Sequence, residues 1–268
     1  MDEQYSVYRQ LIEQYLQTAF VSAGDAADGL REAMRYSLLA GGKRVRPVLC
    51  LEFCRLCGGD IMSAVPVAAG IEMLHTYSLI HDDLPCMDND DMRRGMPTNH
   101  KKFGECTAVL AGDCLQAEAF SAVCSAEIGE AGKFRCCRIL SRAAGIGGIC
   151  GGQFMDIFPE EVTADTLSMT DLYKTAVLIG AACAMGAAAA GVSDETIDRA
   201  EAFGLALGMA FQCRDDLLDG DGFCGLLGRE KCEKLTDMYT QQALEYLSYF
   251  ADTNFLQALT MYLAGRTA

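Results

Sequence analysis

Hydrophobic positions along this chain recur with the three- to four-residue spacing of amphipathic helices, and alternating strand patterns are scarce. Glycine pairs at Gly41–Gly42 and Gly58–Gly59 mark helix ends, while the cap-like segments Ser193–Glu195 and Thr170–Asp171 mark starts. The pattern predicts helices over residues 3–20, 27–39, 45–57, 64–83, 105–127, 133–150, 168–190, 194–217, 230–249 and 254–264. No repeat or linker divides them, so we expect an all-α protein with a single helical-bundle domain over residues 1–268.

The composition limits which partners and which cellular locations we expect for this protein. The 268 residues carry 22 Lys and Arg against 37 Asp and Glu, a net charge of −15 that argues against a nucleic-acid partner. The acidic, polar start Met1–Gln4 predicts no signal peptide, and we expect a cytoplasmic protein. The apolar stretch Ala176–Val192 is rich in Ala and Gly, which favours a buried helix over a membrane span. The 14 cysteines include Cys183 and Cys213 in apolar helical stretches, and this favours reduced thiols over a disulfide framework.

A first cluster of aspartates follows a long apolar helix, within His81–Gly95. On a regular helix Asp82 and Asp88 would point about 240° apart. Pro85 lies between them and disrupts the helix, so a turn is expected to bring Asp88 back beside Asp82. The arginine pair Arg93–Arg94 follows within a few residues. Carboxylates that bind metal ions next to arginines that bind phosphate oxygens are typical of a diphosphate site.

A second cluster lies in Phe211–Asp219. Asp215 and Asp219 are four residues apart, about 40° around a helix, so both carboxylates share one face. Apolar neighbours predict that this helix is largely buried, where two like charges need a partner. Oxygen-only ligands favour Mg²⁺, although a solvated acidic helix end is the alternative. Together, the two clusters predict two walls of one cavity, in which metal ions bridge the carboxylates to a diphosphate.

The glycine-rich segment Gly145–Gly152 is superficially similar to a dinucleotide-binding loop. Such a loop follows a strand, whereas residues 136–144 have a helical pattern. A helix break or a close helix contact is therefore the favoured interpretation.

Four segments carry a family resemblance: Gly41–Pro47, Asp82–Gly95, Lys174–Thr175 and Phe211–Asp219. In this order they resemble the signature of the trans-prenyltransferases, or polyprenyl synthetases, and most of all bacterial farnesyl diphosphate synthases. The resemblance extends over residues 10–250. It implies a helical bundle around a deep central cavity, a homodimer and three Mg²⁺ ions in each active site.

The resemblance also implies roles for individual residues. Asp82 and Asp88 would bind Mg²⁺ with Asp83 in support, and Asp215 would bind the third ion with Asp219 nearby. The residues implied for the allylic diphosphate are Arg93, Lys174, Thr175 and Gln212, and those for isopentenyl diphosphate are Lys43, Arg46, His75 and Arg94. Gln153 and Asp156 match a family segment as supporting polar residues.

The implied reaction is head-to-tail condensation of isopentenyl diphosphate with dimethylallyl or geranyl diphosphate. His75 precedes Asp82 by two helical turns on nearly the same face, so it can line the same cavity. Tyr77 and Ser78 lie about one turn before Asp82, where a bulky side chain would stop the growing chain. In the family, an aromatic residue there and two extra residues in the first cluster accompany a fifteen-carbon product, farnesyl diphosphate.

One segment departs from the family pattern. Relatives continue after the second cluster with a polar loop that carries a lysine and closes over the diphosphate, but here Asp219–Gly228 leads directly into the next predicted helix. A stretch of about 15 residues is missing, so either the protein lacks the lid lysine or a mobile loop is absent from the sequence.

Three alternatives stay open at this stage. They are the same chemistry with a C10 or C20 product, a non-catalytic or regulatory subunit, and a terpene cyclase. The last is disfavoured because Lys43, Arg46 and Arg94 would then have no anion to bind.

Overall fold

The computed structural model describes residues 1–20, 26–159 and 161–267. Its helices are α1 (Asp2–Thr18), α2 (Asp28–Leu38), α3 (Val45–Leu56), α4 (Ile61–Asp82), α5 (Asn99–Phe103), α6 (Glu105–Ser125), α7 (Glu130–Ala144), α8 (Ile149–Ile157), α9 (Ala164–Asp171), α10 (Val177–Ala189), α11 (Asp194–Asp219), α12 (Gly222–Leu227), α13 (Arg229–Leu247) and α14 (Asn254–Gly265). A π-helical turn, Leu172–Ala176, joins α9 to α10, and a short hairpin pairs β1 (Met92–Arg93) with β2 (Met96–Pro97). The predicted all-α fold is confirmed.

Helix starts follow local capping. The carboxylate of Asp60 accepts hydrogen bonds from the backbone N–H groups of Met62 and Ser63 at the start of α4. The predicted cap of α11 is confirmed, since the hydroxyl of Ser193 accepts from the N–H of Thr196. The predicted start at Thr170–Asp171 is wrong. That helix begins earlier, at Ala164, because Thr163 and Thr166 form a capping box there.

The single helix predicted over residues 133–150 is also wrong. The chain forms α7 and α8, separated by a tight turn at Gly145–Gly148, which confirms that the glycine-rich segment breaks a helix. A Cβ at Gly148 would overlap the carbonyl oxygen of Ala143, so only glycine fits this turn. The sequence pattern also missed the short helices α5 and α12 and the hairpin.

Helix α10 is the centre of the packing, against α3, α7 and α11. It is apolar on all sides, as expected for a core helix, and its glycines allow close approach. Gly186 lies directly against the carbonyl oxygen of Cys50 on α3. In the described residues one helical run, Ala164–Ala189, is long and apolar enough to cross a membrane. Since 67% of its most apolar window is buried in the protein, it fits the predicted core helix.

After the second aspartate cluster the chain continues without a gap into α12 and α13. Gly220 ends α11 in the left-handed conformation, at φ 78°, and its N–H donates to the carbonyl oxygen of Asp216. Helix α12 then packs against α9, α11 and α13. The segment after Asp219 thus forms a compact link between α11 and α13.

We predict that Gly186→Ala destabilises the protein strongly. The new methyl group cannot fit against the α3 backbone, and overpacking of this kind costs about 3 kcal/mol. Gly29→Ala in α2 is the matched control. No atom lies within 4 Å of the added Cβ, so its effect on the free energy of unfolding should lie between zero and a gain of about 1 kcal/mol. Chemical denaturation measures both, and equal stability of the two variants would contradict this account of the core.

Candidate active site

The first aspartate cluster closes into a compact turn at the end of α4. The N–H of Asp88 donates to the carbonyl oxygen of Asp82 at 2.9 Å, and the N–H of Asn89 donates to that of Leu84 at 3.1 Å. Asn89 adopts the left-handed conformation, at φ 55°, which a short polar side chain tolerates well. The turn predicted from Pro85 therefore brings Asp88 back beside Asp82.

The carboxylate of Asp82 lacks full charge compensation. Burial raises the pKa of Asp82 to about 6; the charge of Asp88 adds to this effect, and that of Lys174 opposes it. Asp83 differs, because it is buried and ion-paired with Arg93 at 2.6 Å. Asp83 thus supports the turn, whereas neither Asp82 nor Asp88 forms an ion pair within the part of the chain that the structure describes.

The hairpin that follows directs two adjacent arginines to different places. Arg94 and Gly95 form its two-residue turn with φ angles of 53° and 76°, as a type I′ turn requires. Arg93, on β1, extends to Asp83 beside the carboxylates. Arg94 instead donates to the carbonyl oxygen of Gly41 and lies against Gly42, in the loop that precedes α3.

Cations gather on this second side of the site. A guanidinium nitrogen of Arg46 lies 3.4 Å from Nε2 of His75, and the Nε of Arg46 is buried without a hydrogen-bond partner. Burial lowers the pKa of Arg46 to about 10; Glu72 opposes this and Arg94 adds to it. Burial and the neighbouring arginines lower the pKa of His75 well below its usual 6.5, which leaves it neutral. Lys43 is exposed in the loop that precedes α3.

Arg44 has a structural role within the same loop. Although it is not glycine, it adopts the left-handed conformation at φ 55° and caps α3. Its buried guanidinium binds Glu72 at 2.6 Å, Glu13 at 2.8 Å and the carbonyl oxygen of Leu38 at 2.8 Å. These bonds hold the loop so that its neighbours can face the site.

The π-helical turn carries the next predicted residues. The Nζ of Lys174 lies 2.5 Å from the carboxylate of Asp156 on α8. Burial opposes the charged form of Lys174, but Asp156, Asp82 and Asp88 together raise its pKa. The hydroxyl of Thr175 donates to Oε1 of Gln212 on α11 at 3.1 Å. The predicted segments thus meet across α8, the π-helical turn and α11.

The second aspartate cluster is arranged differently from the prediction. Asp215 forms an ion pair with Arg266 near the chain end, and the guanidinium of Arg266 also stacks on Phe211, 4.0 Å from the ring centroid. Asp219 is exposed. Asp216 is the buried member of this cluster. Sequence reasoning missed Arg266, which lies 51 residues from Asp215.

The carboxylate of Asp216 fixes the start of the link that follows the second cluster. Its carboxylate accepts from the N–H of Phe223 at 2.8 Å, at the start of α12, and from the side-chain amide of Gln212 at 3.1 Å. Asp171 lies nearby with one buried carboxylate oxygen unpartnered; burial, Asp216 and Asp156 raise the pKa of Asp171 to about 7. The four-residue spacing that singles out Asp215 and Asp219 does not indicate a role for Asp216 or Asp171.

The predicted chain-length residues are buried in α4. Tyr77 is 5% exposed, and its hydroxyl lies 3.3 Å from the thiol of Cys150 on α8. Ser78 is 7% exposed and donates to the carbonyl oxygen of His75 at 3.0 Å. Tyr77 therefore has the bulk and the fixed position that a barrier below Asp82 requires.

The donor set of the first cluster fits Mg²⁺. The carboxylates of Asp82 and Asp88 offer hard oxygen ligands, and Mg²⁺ usually completes its shell with water and phosphate oxygens. Within residues 1–20, 26–159 and 161–267, no group of three His, Cys, Asp or Glu side chains is arranged to hold a metal by itself. A metal at Asp82 and Asp88 would thus depend on the substrate for its remaining ligands.

Comparisons with known proteins agree with this geometry. The family model for polyprenyl synthetase matches residues 27–240. Heterodimeric geranylgeranyl pyrophosphate synthase large subunit 2 of Arabidopsis thaliana is 41% identical over an alignment of 263 residues that covers 88% of this chain and 70% of that protein. A crystal structure of an FPP/GFPP synthase from Zymomonas mobilis matches with a TM-score of 0.92 and 35% identity, over 98% of this chain and 99% of that one.

Another relative is the chloroplastic heterodimeric geranylgeranyl pyrophosphate synthase large subunit 1 of Arabidopsis thaliana. It is 50% identical over an alignment of 199 residues that covers 71% of this chain. The match spans little more than half of that protein, 54% of its length.

We predict that Arg266→Gln lowers the stability of the metal-free protein. The change removes a nearly buried counter-ion from Asp215, whose side chain is 33% exposed, so solvent screening limits the expected loss to about 1 kcal/mol. Lys234→Gln on α13 is the control, since both partners of its pair with Glu230 are exposed and the pair should contribute less. Thermal unfolding in the presence of a chelator measures both. Equal melting temperatures of the two variants would contradict the role assigned to Arg266.

Proposed function

The chain belongs to the polyprenyl synthetase family, and on that premise we propose that it is a Mg²⁺-dependent prenyl-diphosphate synthase. It condenses isopentenyl diphosphate with dimethylallyl or geranyl diphosphate, and its product is farnesyl diphosphate. The observation that carries this proposal is the pairing of two clusters of like charge: carboxylates at Asp82 and Asp88, and cations at Arg46 and Arg94.

Each cluster suits one diphosphate group. Asp82 and Asp88 would hold Mg²⁺ against the allylic diphosphate, and the direct ligands of its oxygens would be Arg93, Lys174, Thr175 and Gln212. The second diphosphate, that of isopentenyl diphosphate, would bind Lys43, Arg46, His75 and Arg94. Crowded cations with lowered pKa values gain most from an anion, because it relieves both burial and mutual repulsion.

The chain's own residues then provide a charge-stabilising environment for ionisation. The allylic C–O bond breaks and its electron pair leaves with the diphosphate, whose charge Lys174 and Arg93 stabilise from fixed positions. Bound Mg²⁺ would supply further neutralisation of that charge. The double bond of isopentenyl diphosphate forms the new C–C bond, and the departed diphosphate takes the proton that is lost.

His75 takes no proton in this scheme. Its lowered pKa keeps the ring neutral near pH 7, so it acts as a hydrogen-bonding group beside Arg46 rather than as a general acid. No protein nucleophile is needed.

The fifteen-carbon product rests on Tyr77. Its buried ring lies about 7 Å along α4 from Asp82, by helix rise, where it would block a longer chain. A C20 product is the second candidate, because the two Arabidopsis relatives are named geranylgeranyl synthases. A regulatory subunit is the third, because the compact link after Asp219 carries no lysine before Lys231.

Assembly is a further part of the proposal. We propose a homodimer, as the family resemblance implies. The names of the Arabidopsis relatives describe heterodimeric proteins, so pairing with a different subunit is the alternative. Light scattering of the purified chain distinguishes them: a mass of twice 28.9 kDa supports the homodimer, and a monomer contradicts it.

Activity is tested by Asp82→Asn with Asp91→Asn as a matched control. Asp91 lies in the same segment but is exposed and paired with Lys101 at 2.7 Å. With Mg²⁺, isopentenyl diphosphate and geranyl diphosphate, Asp82→Asn should lose about 10²- to 10³-fold in kcat, because it removes a ligand of the Mg²⁺ that would neutralise the leaving group. Asp91→Asn should stay close to the unsubstituted chain. No turnover by the unsubstituted chain with any allylic partner would favour the regulatory alternative.

Product length is tested by Tyr77→Ala. Removing the ring opens the path below Asp82, so the main product should lengthen from C15 to C20 or beyond. Tyr249→Ala, at an exposed tyrosine beside Arg199, should leave the products unchanged. Chromatography of the dephosphorylated alcohols measures both, and an unchanged C15 profile in Tyr77→Ala would exclude the ring as the barrier.

A further inference from the structure

The hydroxyl of Tyr77 joins three helices below the metal-binding carboxylates. It lies 3.3 Å from the thiol of Cys150 on α8, and it hydrogen-bonds with Gln116 on α6. The ring itself packs edge-to-face against His81, with 5.6 Å between centroids. The barrier is thus a tyrosine whose free end is held from two sides, and the thiol is one of its two hydroxyl partners.

The packing of helix α8 fixes the position of Cys150. Gly152 lies directly against the backbone of Lys174, so closely that a Cβ there would overlap the Lys174 nitrogen. The pair between Asp156 and Lys174 holds the next turn of α8 to the same segment. Cys150, half a turn before Gly152, is therefore held at a fixed distance from the π-helical turn that binds the allylic diphosphate.

Cys150 has no core role that would explain it otherwise. The thiols of Cys50, Cys183 and Cys213 are fully buried among apolar side chains, but Cys150 is exposed. Its thiol lies against the Tyr77 hydroxyl. A thiol is a weak hydrogen-bonding group, but it can restrain a phenol that otherwise has one partner.

We propose that Cys150 is a specificity-determining residue, which holds the Tyr77 hydroxyl and so keeps the ring across the path of the growing chain. This inference rests on the proposed function, because it explains how a C15 limit is maintained. Without the thiol, the ring gains rotameric freedom, and a fraction of C15 molecules can pass and be extended to C20.

The test is the ratio of C20 to C15 products in four variants. In Cys150→Ala the ratio should rise about fivefold, the factor that one neutral hydrogen bond contributes. Cys150→Ser keeps a hydroxyl that can bond to the phenol, so its ratio should stay near that of the unsubstituted chain. Tyr77→Phe removes the bonds to both Cys150 and Gln116, so its ratio should rise at least as far, and adding Cys150→Ala to it should raise the ratio no further. Cys106→Ala, at an exposed cysteine on α6, is the control.

The outcomes separate the inference from the function it rests on. Normal turnover with an unchanged ratio in Cys150→Ala overturns the inference alone, as does an additive double variant. C20 as the main product of the unsubstituted chain overturns the proposed product and the inference with it. No turnover by the unsubstituted chain contradicts the proposed function itself. Melting curves of each variant check that it still folds.

Discussion

Charge repulsion that the protein leaves unresolved is the constraint on which the site depends. Burial disfavours the ionised carboxylate of Asp82, and the charge of Asp88 disfavours it further. On the other side, burial and Arg94 disfavour the charged form of Arg46. A folded chain retains such clusters at a cost in stability, which a bound ligand of opposite charge can offset. Metal ions and diphosphate groups together would satisfy both sides, which supports the proposed ligands.

Helix α4 connects the parts of the site because it carries His75, Tyr77 and Asp82 within two turns. Its partners approach closely through glycine. Gly112 on α6 lies under the ring of His81, and Gly152 on α8 lies on the backbone of Lys174. In the same way Gly186 seats the central helix on α3. Small residues thus fix the distances between the binding groups and the barrier, which loops could not do as reproducibly.

The sequence was informative where chemistry is local. Pro85 between two aspartates was enough to predict the turn that brings Asp88 to Asp82, and the helical periodicity predicted most of the bundle. It failed where contacts are distant or where a turn interrupts a pattern. Nothing near Asp215 indicates that Arg266 would pair with it, and Cys150 lies 73 residues from Tyr77. The glycines after Ala144 also ended a helix that apolar spacing alone would have continued.

We infer that the carboxylate and cation clusters are two halves of one metal-dependent diphosphate site. Calorimetric titration of the purified chain with inorganic diphosphate, in the presence and absence of Mg²⁺, tests it most directly. We expect saturable binding of diphosphate that tightens strongly when Mg²⁺ is present, because Asp82 and Asp88 repel the anion until a cation bridges them. Binding of equal strength with and without Mg²⁺, or no binding in either case, would contradict it.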